Sequence, residues 1–192
     1  MWINEIKNYI PKNVQEKTDK KAMVAFALRN SDALFRDNLV AHFTSSAIVL
    51  NKDLSKVLFI HHNIYNSWGW VGGHNDGDGD FLHVAIKEAK EETGVNHIVP
   101  LNENIQAIDT IYVPNHMKKG TWIPDHVHMN LTYFLLADET EELVIKEDEN
   151  SGVKWFTLEE ALDVMDEPRM RPIYTKLFNQ VQAFKKSTKA HI

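Results

Sequence analysis

Apolar positions along the chain follow strand-like and helix-like patterns in turn, and this order predicts an α/β protein. Residues 80–94 place apolar side chains at the i, i+3, i+4, i+7 spacing of a helix with one buried face. A second stripe of this kind, from about 169 to 184, predicts a terminal helix. The strand-like runs cover residues 42–50, 56–62, 105–113, 125–137 and 153–156.

The beginning of the chain is polar and predicts helices of its own. Trp2, Ile6 and Ile10 recur every four residues, and a longer helical segment follows them to about residue 35. We therefore divide the chain into an N-terminal helical extension, residues 1–38, and a main domain, residues 39–192. Structural packing on the main domain is the simplest role for the extension, and dimerisation or substrate specificity are the alternatives.

Composition and charge exclude several classes of protein. Apolar residues make up 43% and charged residues 25% of the chain, which is typical of a soluble globular protein. With 27 acidic and 21 basic residues the net charge is −6, so we expect no nucleic-acid partner. Cysteine is absent, which excludes disulfides and thiol nucleophiles. Since we find no signal-peptide pattern and no apolar segment of membrane length, we expect a cytoplasmic protein without a membrane partner.

The stretch that carries the most chemistry is a loop rich in glycine and aspartate, residues 72–79, together with the helix that follows it. Glu88, Glu91 and Glu92 stand at i, i+3 and i+4, so their carboxylates share one helix face beside the apolar stripe. Three carboxylates this close repel one another, and a hard divalent cation would remove the conflict. A solvated acidic face is the alternative for such a run.

The same stretch resembles the Nudix box, G-x5-E-x7-R-E-U-x-E-E-x-G-U, in which U is an aliphatic residue. Two positions depart from it, because Gly79 stands at the first glutamate and Lys87 at the arginine. The residues that match at the required spacing are Gly73, Glu88, Glu91, Glu92, Gly94 and Val95. The chain therefore resembles a Nudix hydrolase.

This resemblance implies a fold and an activity. The fold would be a Nudix-type α/β/α sandwich with a mixed β-sheet. The activity would be hydrolysis of the diphosphate bond of a nucleoside diphosphate linked to another group, or of a related diphosphate, with Mg²⁺ or Mn²⁺ as cofactor. The partner would be this small-molecule diphosphate, and a homodimer remains open.

The resemblance also implies which residues bind the metal and act in catalysis. Metal binding falls to Glu88, Glu91 and Glu92, with the carbonyl oxygen of Gly72 as a further ligand. Lys87 would take the place of the arginine that steadies a glutamate, although lysine lacks the bidentate fork of arginine.

In this family a general base often lies on a separate loop. Glu149 and Glu147 precede the short strand at 153–156, where such a residue commonly lies, and we favour Glu149. A solvated acidic connection is the alternative for this segment.

The candidates for substrate binding are four side chains: His74, His126, His128 and Trp70. Alternation along their strand puts His126 and His128 on one side, bordering the pocket, and His74 and His42 could face the same pocket. Trp70 could stack on a base, with aromatic core packing as the alternative.

Two other functions remain as alternatives. A non-catalytic Nudix domain that senses a nucleotide or metabolite is favoured by Gly79 and Lys87. A cupin-like metalloprotein would hold its metal on His126 and His128, which follow Gly120 at the cupin spacing, but the glutamate that should follow is absent.

Overall fold

A computed structural model describes residues 1–118 and 120–189 of the chain. The predicted main domain thus includes residues 119 and 190–192, which lie outside the described part. The helices are α1 (Ile3–Asn8), α2 (Val14–Arg29), α3 (Phe81–Thr93), α4 (Leu158–Asp163) and α5 (Arg171–Lys189). Within the described residues, none of these helices has the length and apolar character needed to cross a membrane.

The strands confirm the predicted α/β class with a large mixed sheet. Eight of them form one sheet with the order β10-β2-β1-β9-β5, in which β3 pairs with β2, β4 with β1 and β6 with β9, while β7 and β8 pair with each other. The strands are β1 (Ala41–Leu50), β2 (Lys56–His62), β3 (Ser67–Gly69), β4 (Val71–His74), β5 (Ile98–Pro100), β6 (Ala107–Val113), β7 (His116–Lys118), β8 (Thr121–Ile123), β9 (His126–Ala137) and β10 (Asn150–Thr157).

The chain forms two compact units, and β1, β9 and α3 each contribute residues to both. The first unit consists of Met1–Ser46, Gly72–Ala85 and Glu103–Tyr133. The second unit consists of Ala47–Val71, Ile86–Asn102 and Phe134–Ile192.

In the second unit, the core forms between β2 and α5. Strand β10 pairs antiparallel with β2, from Gly152↔His61 to Thr157↔Lys56. The ring of Phe59 on β2 lies 5.2 Å from Tyr174 and 6.3 Å from Phe178 of α5, measured between ring centroids. Helix α5 therefore packs on the strand through Tyr174 and Phe178. Leu177 and Val181, which belong to the predicted apolar stripe, are buried as well.

In the first unit, β6 pairs antiparallel with β9, and the N-terminal helices pack beside them. The Trp2 ring contacts Phe43 and Phe81 edge-on, with centroids 5.2 and 5.9 Å apart. The Tyr133 hydroxyl donates a hydrogen bond of 2.5 Å to the Glu5 carboxylate. Packing is thus one role of the extension, whereas its boundary with the main domain at residues 38 and 39 stays a prediction.

Three local predictions differ from the structure. Ile3 and Ile6 are the buried positions of α1, and Ile10 is 80% exposed, because the chain turns extended at Tyr9 and leaves the helical stripe. Helix α2 ends at Arg29, earlier than the predicted residue 35. No strand is predicted between residues 113 and 125, yet β7 and β8 pair there, and their strand character comes from this pairing and not from an apolar pattern.

Candidate active site and metal-binding clusters

The glycine-rich loop begins where the backbone lies against β1. A Cβ atom on Gly72 would lie 2.6 Å from both the carbonyl oxygen of Ser45 and the hydroxyl oxygen of Ser46, so only glycine fits. Asn75 is buried and organises the loop, because it accepts a hydrogen bond from the Ser45 hydroxyl (3.1 Å) and donates one to the Asp78 carbonyl (2.8 Å). The loop is therefore held by specific contacts in the first unit.

The end of the loop explains why the chain carries glycine at position 79. A Cβ atom there would lie 2.9 Å from the Cβ of Trp2, so the N-terminal extension occupies the space that a side chain would need. Asp80 caps α3, since its carboxylate accepts a hydrogen bond of 2.9 Å from the His83 amide. Asp78 accepts from the Asp80 amide at 2.8 Å. The two aspartates that flank Gly79 thus hydrogen-bond at the beginning of the helix.

The acidic face of α3 lies in the second unit, and a lysine of the same helix lies beside it. The ammonium nitrogen of Lys87 lies 3.6 Å from a carboxylate oxygen of Glu88 and 3.6 Å from one of Glu91. Burial raises the pKa of Glu88, Lys87 opposes this shift, and Glu91 adds to it. A positive charge between two carboxylates offsets the repulsion that their spacing predicts.

A second lysine connects this face to the segment before β10. The Lys146 ammonium lies 3.4 Å from Glu91 and 3.0 Å from Glu149. Burial lowers the pKa of Lys146, but the two carboxylates outweigh it and the pKa is raised. The side chain of Asn150 donates to the Glu92 carbonyl at 2.9 Å and so fixes the segment at the end of α3. Glu149 is therefore held beside the acidic face.

The three glutamates of the face differ in exposure. The side chain of Glu91 is 42% exposed and that of Glu88 is 14% exposed, whereas Glu92 as a residue is only 2% exposed. Helix α3 ends directly after it, where Gly94 adopts a φ of +76° and donates its amide to the Lys90 carbonyl at 2.9 Å. Among the predicted metal ligands, Glu92 is therefore buried, Glu88 is mostly buried and Glu91 is exposed at the surface.

The carboxylates fit a hard divalent cation by their chemistry. Carboxylate oxygen atoms of Glu88, Glu91 and Glu149 surround two lysine ammonium groups, which supply positive charge. Mg²⁺ and Mn²⁺ prefer such oxygen donors together with water.

Four histidine rings come together in the first unit. The centroids of His74 and His128 lie 4.9 Å from that of His42 and 5.1 Å from each other, and the Nε2 atoms of His126 and His128 are 3.1 Å apart. One ligand atom from each of His42, His74 and His128 lies within 4.8 Å of the others. Three of the rings were predicted to bind substrate, and this role stays a prediction.

Burial favours the uncharged form of three of these imidazoles, because it lowers the pKa of each. It lowers the pKa of His74 to about 2, with Arg36 and the neighbouring histidines adding to the shift. Burial also lowers the pKa of His128 well below its ordinary value. It lowers the pKa of His42 to a smaller extent, and a hydrogen bond to the Asn38 carbonyl opposes this shift. Neutral imidazole is the form that binds metal ions.

Trp70 contacts α5 in the second unit. Its amide donates a hydrogen bond of 3.0 Å to the Tyr174 hydroxyl, and the two rings meet edge-on with centroids 5.2 Å apart. This is the aromatic packing that formed the alternative interpretation, and the stacking role stays a prediction.

Sequence reasoning missed the two residues that position Glu149. Lys146 and Asn150 lie in or beside a charged connection without periodicity, so no pattern in the chain distinguishes them from solvated residues. The carbonyl and side-chain contacts that give them their roles form only when the segment packs on α3.

Comparisons with known proteins identify a family whose model matches this chain. A family model of the NUDIX domain matches residues 41–177. A comparison with curated protein sequences gives no match. Similar solved structures include a C. elegans Ap4A hydrolase in a binary complex, with a TM-score of 0.55 and 18% identity over 73% of this chain and 98% of that chain.

Two further structures have the same fold. The E. coli dihydroneopterin triphosphate pyrophosphohydrolase gives a TM-score of 0.54 with 14% identity, over 72% of this chain and 95% of that one. A NUDIX-family hydrolase from Clostridium perfringens gives a TM-score of 0.51 with 22% identity, over 73% and 97% of the two chains. At these identities the likeness establishes the fold alone.

Proposed function

Because the chain belongs to the NUDIX family and is a Nudix-type hydrolase, we propose that it cleaves the diphosphate bond of a nucleoside diphosphate linked to another group, or of a related diphosphate. Nudix hydrolases generally use divalent metal ions and act on small molecules. We assign Mg²⁺ or Mn²⁺ to this chain as the ion, and metal-activated water as the nucleophile.

The observation that carries the proposal is the convergence of carboxylates and lysines at α3. Lys87 lies between Glu88 and Glu91, and Lys146 connects Glu91 to Glu149. A surface that already draws two cations towards its carboxylates favours a divalent ion. The diphosphate of the substrate is itself an anion, so it needs positive charge beside these carboxylates in order to bind.

Each carboxylate at α3 has a proposed role. Glu88, Glu91 and Glu92 would bind the metal, and the Gly72 carbonyl stays a predicted further ligand. When bound, the ion neutralises phosphate charge and lowers the pKa of a bound water. Glu149 would accept the proton from the attacking water.

The lysines would organise these carboxylates. Lys146 holds the Glu149 carboxylate by an ion pair of 3.0 Å, which orients that group before substrate binds. Lys87, in the place of the family's arginine, would hold Glu88 in the same way, with the looser geometry of a point charge.

Substrate identity is the open part of the proposal. Binding through His74, His126, His128 and Trp70 stays a prediction, as do the cytoplasmic location and the homodimer. A useful panel therefore combines nucleoside diphosphate compounds with Ap4A and dihydroneopterin triphosphate, the compounds named for two proteins of the same fold.

The test is hydrolysis of this panel with Mg²⁺ or Mn²⁺ by three proteins: the wild type, Glu91→Gln and Glu159→Gln. Glu159 is an exposed glutamate in the first turn of α4, so its substitution is the matched control. We expect Glu91→Gln to lose about 100-fold in kcat, or roughly 2.7 kcal/mol of transition-state stabilisation, and Glu159→Gln to keep wild-type activity.

Two outcomes would contradict the proposal. Turnover by Glu91→Gln equal to that of the wild type would remove the acidic face from the reaction. If all three proteins are inactive on every compound but bind one of the compounds, the alternative function, a nucleotide or metabolite sensor, is favoured.

A further inference from the structure

The histidine cluster of the first unit contains a buried nitrogen without a partner. His42 is only 3% exposed, and its Nδ1 lies 3.0 Å from the carbonyl oxygen of Asn38. This contact places the ring proton on Nδ1 and leaves a lone pair on Nε2, which has no hydrogen-bond partner. A buried acceptor without a donor costs free energy, so the site calls for a positive or donating ligand.

The neighbouring rings supply further nitrogen donors at the spacing of a metal site. Ligand atoms of His42, His74 and His128 all lie within 4.8 Å of one another. In a tetrahedral site with zinc–nitrogen bonds of about 2.0–2.1 Å, the donor atoms are roughly 3.3 Å apart. Small rotations of the side chains therefore close the three donors around one ion.

The surroundings of the cluster favour ligation over a solvated pocket. The three histidines lie on strands β1, β4 and β9, which hold them more rigidly than loops do. His126 places its Nδ1 2.8 Å from the Pro124 carbonyl oxygen, which fixes its tautomer as an outer-shell partner does at known metal sites. Its Nε2 lies 3.1 Å from that of His128, close enough to act as a fourth donor once a metal ion replaces the hydrogen bond between the two rings.

We propose that His42, His74 and His128 form a second metal site, of the imidazole type, that binds Zn²⁺, with His126 as the fourth donor. Nitrogen donors distinguish this site from the carboxylates on α3, because imidazole suits zinc and its neighbours in the transition series, whereas carboxylate and water suit Mg²⁺ and Mn²⁺. The proposal concerns metal binding and does not depend on the proposed hydrolysis.

The experiment is a Zn²⁺ titration of the chelator-treated full chain by calorimetry, with excess Mg²⁺ present to occupy oxygen-donor sites. The variants are His74→Ala and His128→Ala, with His97→Ala as the matched control, since the side chain of His97 is 89% exposed. Glu88→Gln is a second control because it alters the acidic face. We expect the wild type and both controls to bind about one Zn²⁺ per chain.

Removal of an outer-shell partner of a metal ligand lowers metal affinity about 10- to 100-fold. His74→Ala and His128→Ala should each lower the affinity for Zn²⁺ by more than this. Absence of Zn²⁺ binding by the wild type would overturn the proposal. So would wild-type affinity in both cluster variants, or an equal loss in His97→Ala or Glu88→Gln.

Visible absorption with Co²⁺ in place of Zn²⁺ covers the case in which the variants fail to fold. The wild type should give the intense bands of a four-coordinate ion with nitrogen donors. Unfolding temperatures should also rise with Zn²⁺ concentration, because a ligand that binds only the folded state stabilises it by mass action. A spectrum equal to that of the hydrated ion would refute the site.

Discussion

Replacing Gly79 by glutamate would bring the chain closer to the Nudix box, yet the structure predicts a loss of stability. The new Cβ would lie 2.9 Å from the Cβ of Trp2 and 3.3 Å from its Cγ, well inside normal contact distance. Either the overlap is tolerated as strain or Trp2 leaves its position between Phe43 and Phe81. Strain from an overpacked core costs about 1–3 kcal/mol. Losing two edge-on aromatic contacts costs about 0.5–1.5 kcal/mol each.

Both routes therefore predict that Gly79→Glu lowers the free energy of unfolding by about 1–3 kcal/mol. For a chain of this size each kcal/mol shifts the unfolding temperature by about 2–4 °C. Gly79→Ala should cost a similar amount, because its Cβ makes the same overlap without a carboxylate. The measurement is urea and thermal unfolding of each variant.

A double variant isolates the cause. With Trp2→Gly in place, the Cβ and the ring that cause the overlap are both gone, so Gly79→Glu should cost little further, and the two changes should couple by about 0.5–3 kcal/mol. If the proposed function holds, the double variant should also hydrolyse its substrate faster than Trp2→Gly alone, because it regains a carboxylate of the box. Stability effects that add to within about 0.3–0.5 kcal/mol would refute the reasoning.

Three further predictions concern single contacts. Gly72→Ala should destabilise the protein by at least about 3 kcal/mol, because its Cβ meets backbone atoms of β1 at 2.6–2.7 Å; Gly120→Ala, whose Cβ meets nothing within 4 Å, should cost less in the same thermal unfolding assay. Tyr174→Phe should cost about 0.5–1.5 kcal/mol in urea unfolding, since the part-buried amide of Trp70 loses its acceptor; an unchanged midpoint would contradict this. Burial raises the pKa of Glu88, so the folded state holds that proton more tightly than the unfolded state, and stability falls as the pH rises through the folded pKa. Metal-free Glu88→Gln should accordingly be more stable than the wild type at pH 7, with the difference vanishing below the ordinary carboxyl pKa of 4.5; parallel curves of stability against pH would count against it.

Local features of the chain were sufficient to predict α3 and its loop. The helix begins after Asp80 and ends before Gly94, as the apolar spacing over residues 80–94 indicated. Strand β2 has the predicted bounds, from Lys56 to His62. The family assignment depended on residues within one stretch, from Gly73 to Val95, and the match over residues 41–177 confirms it. All of these depend on neighbours in sequence, whose relative positions follow from helix and strand geometry.

Contacts between distant parts of the chain came only from the tertiary structure. Trp2 explains the glycine at position 79, although 77 positions separate the two residues. Lys146 connects Glu91 to Glu149 because a segment without periodicity packs on the end of α3. The four histidines were expected to face one pocket, but their rings come into contact only because three strands pack together. Periodicity determines which side of an element a residue occupies, but packing of the elements decides which side chain it meets there.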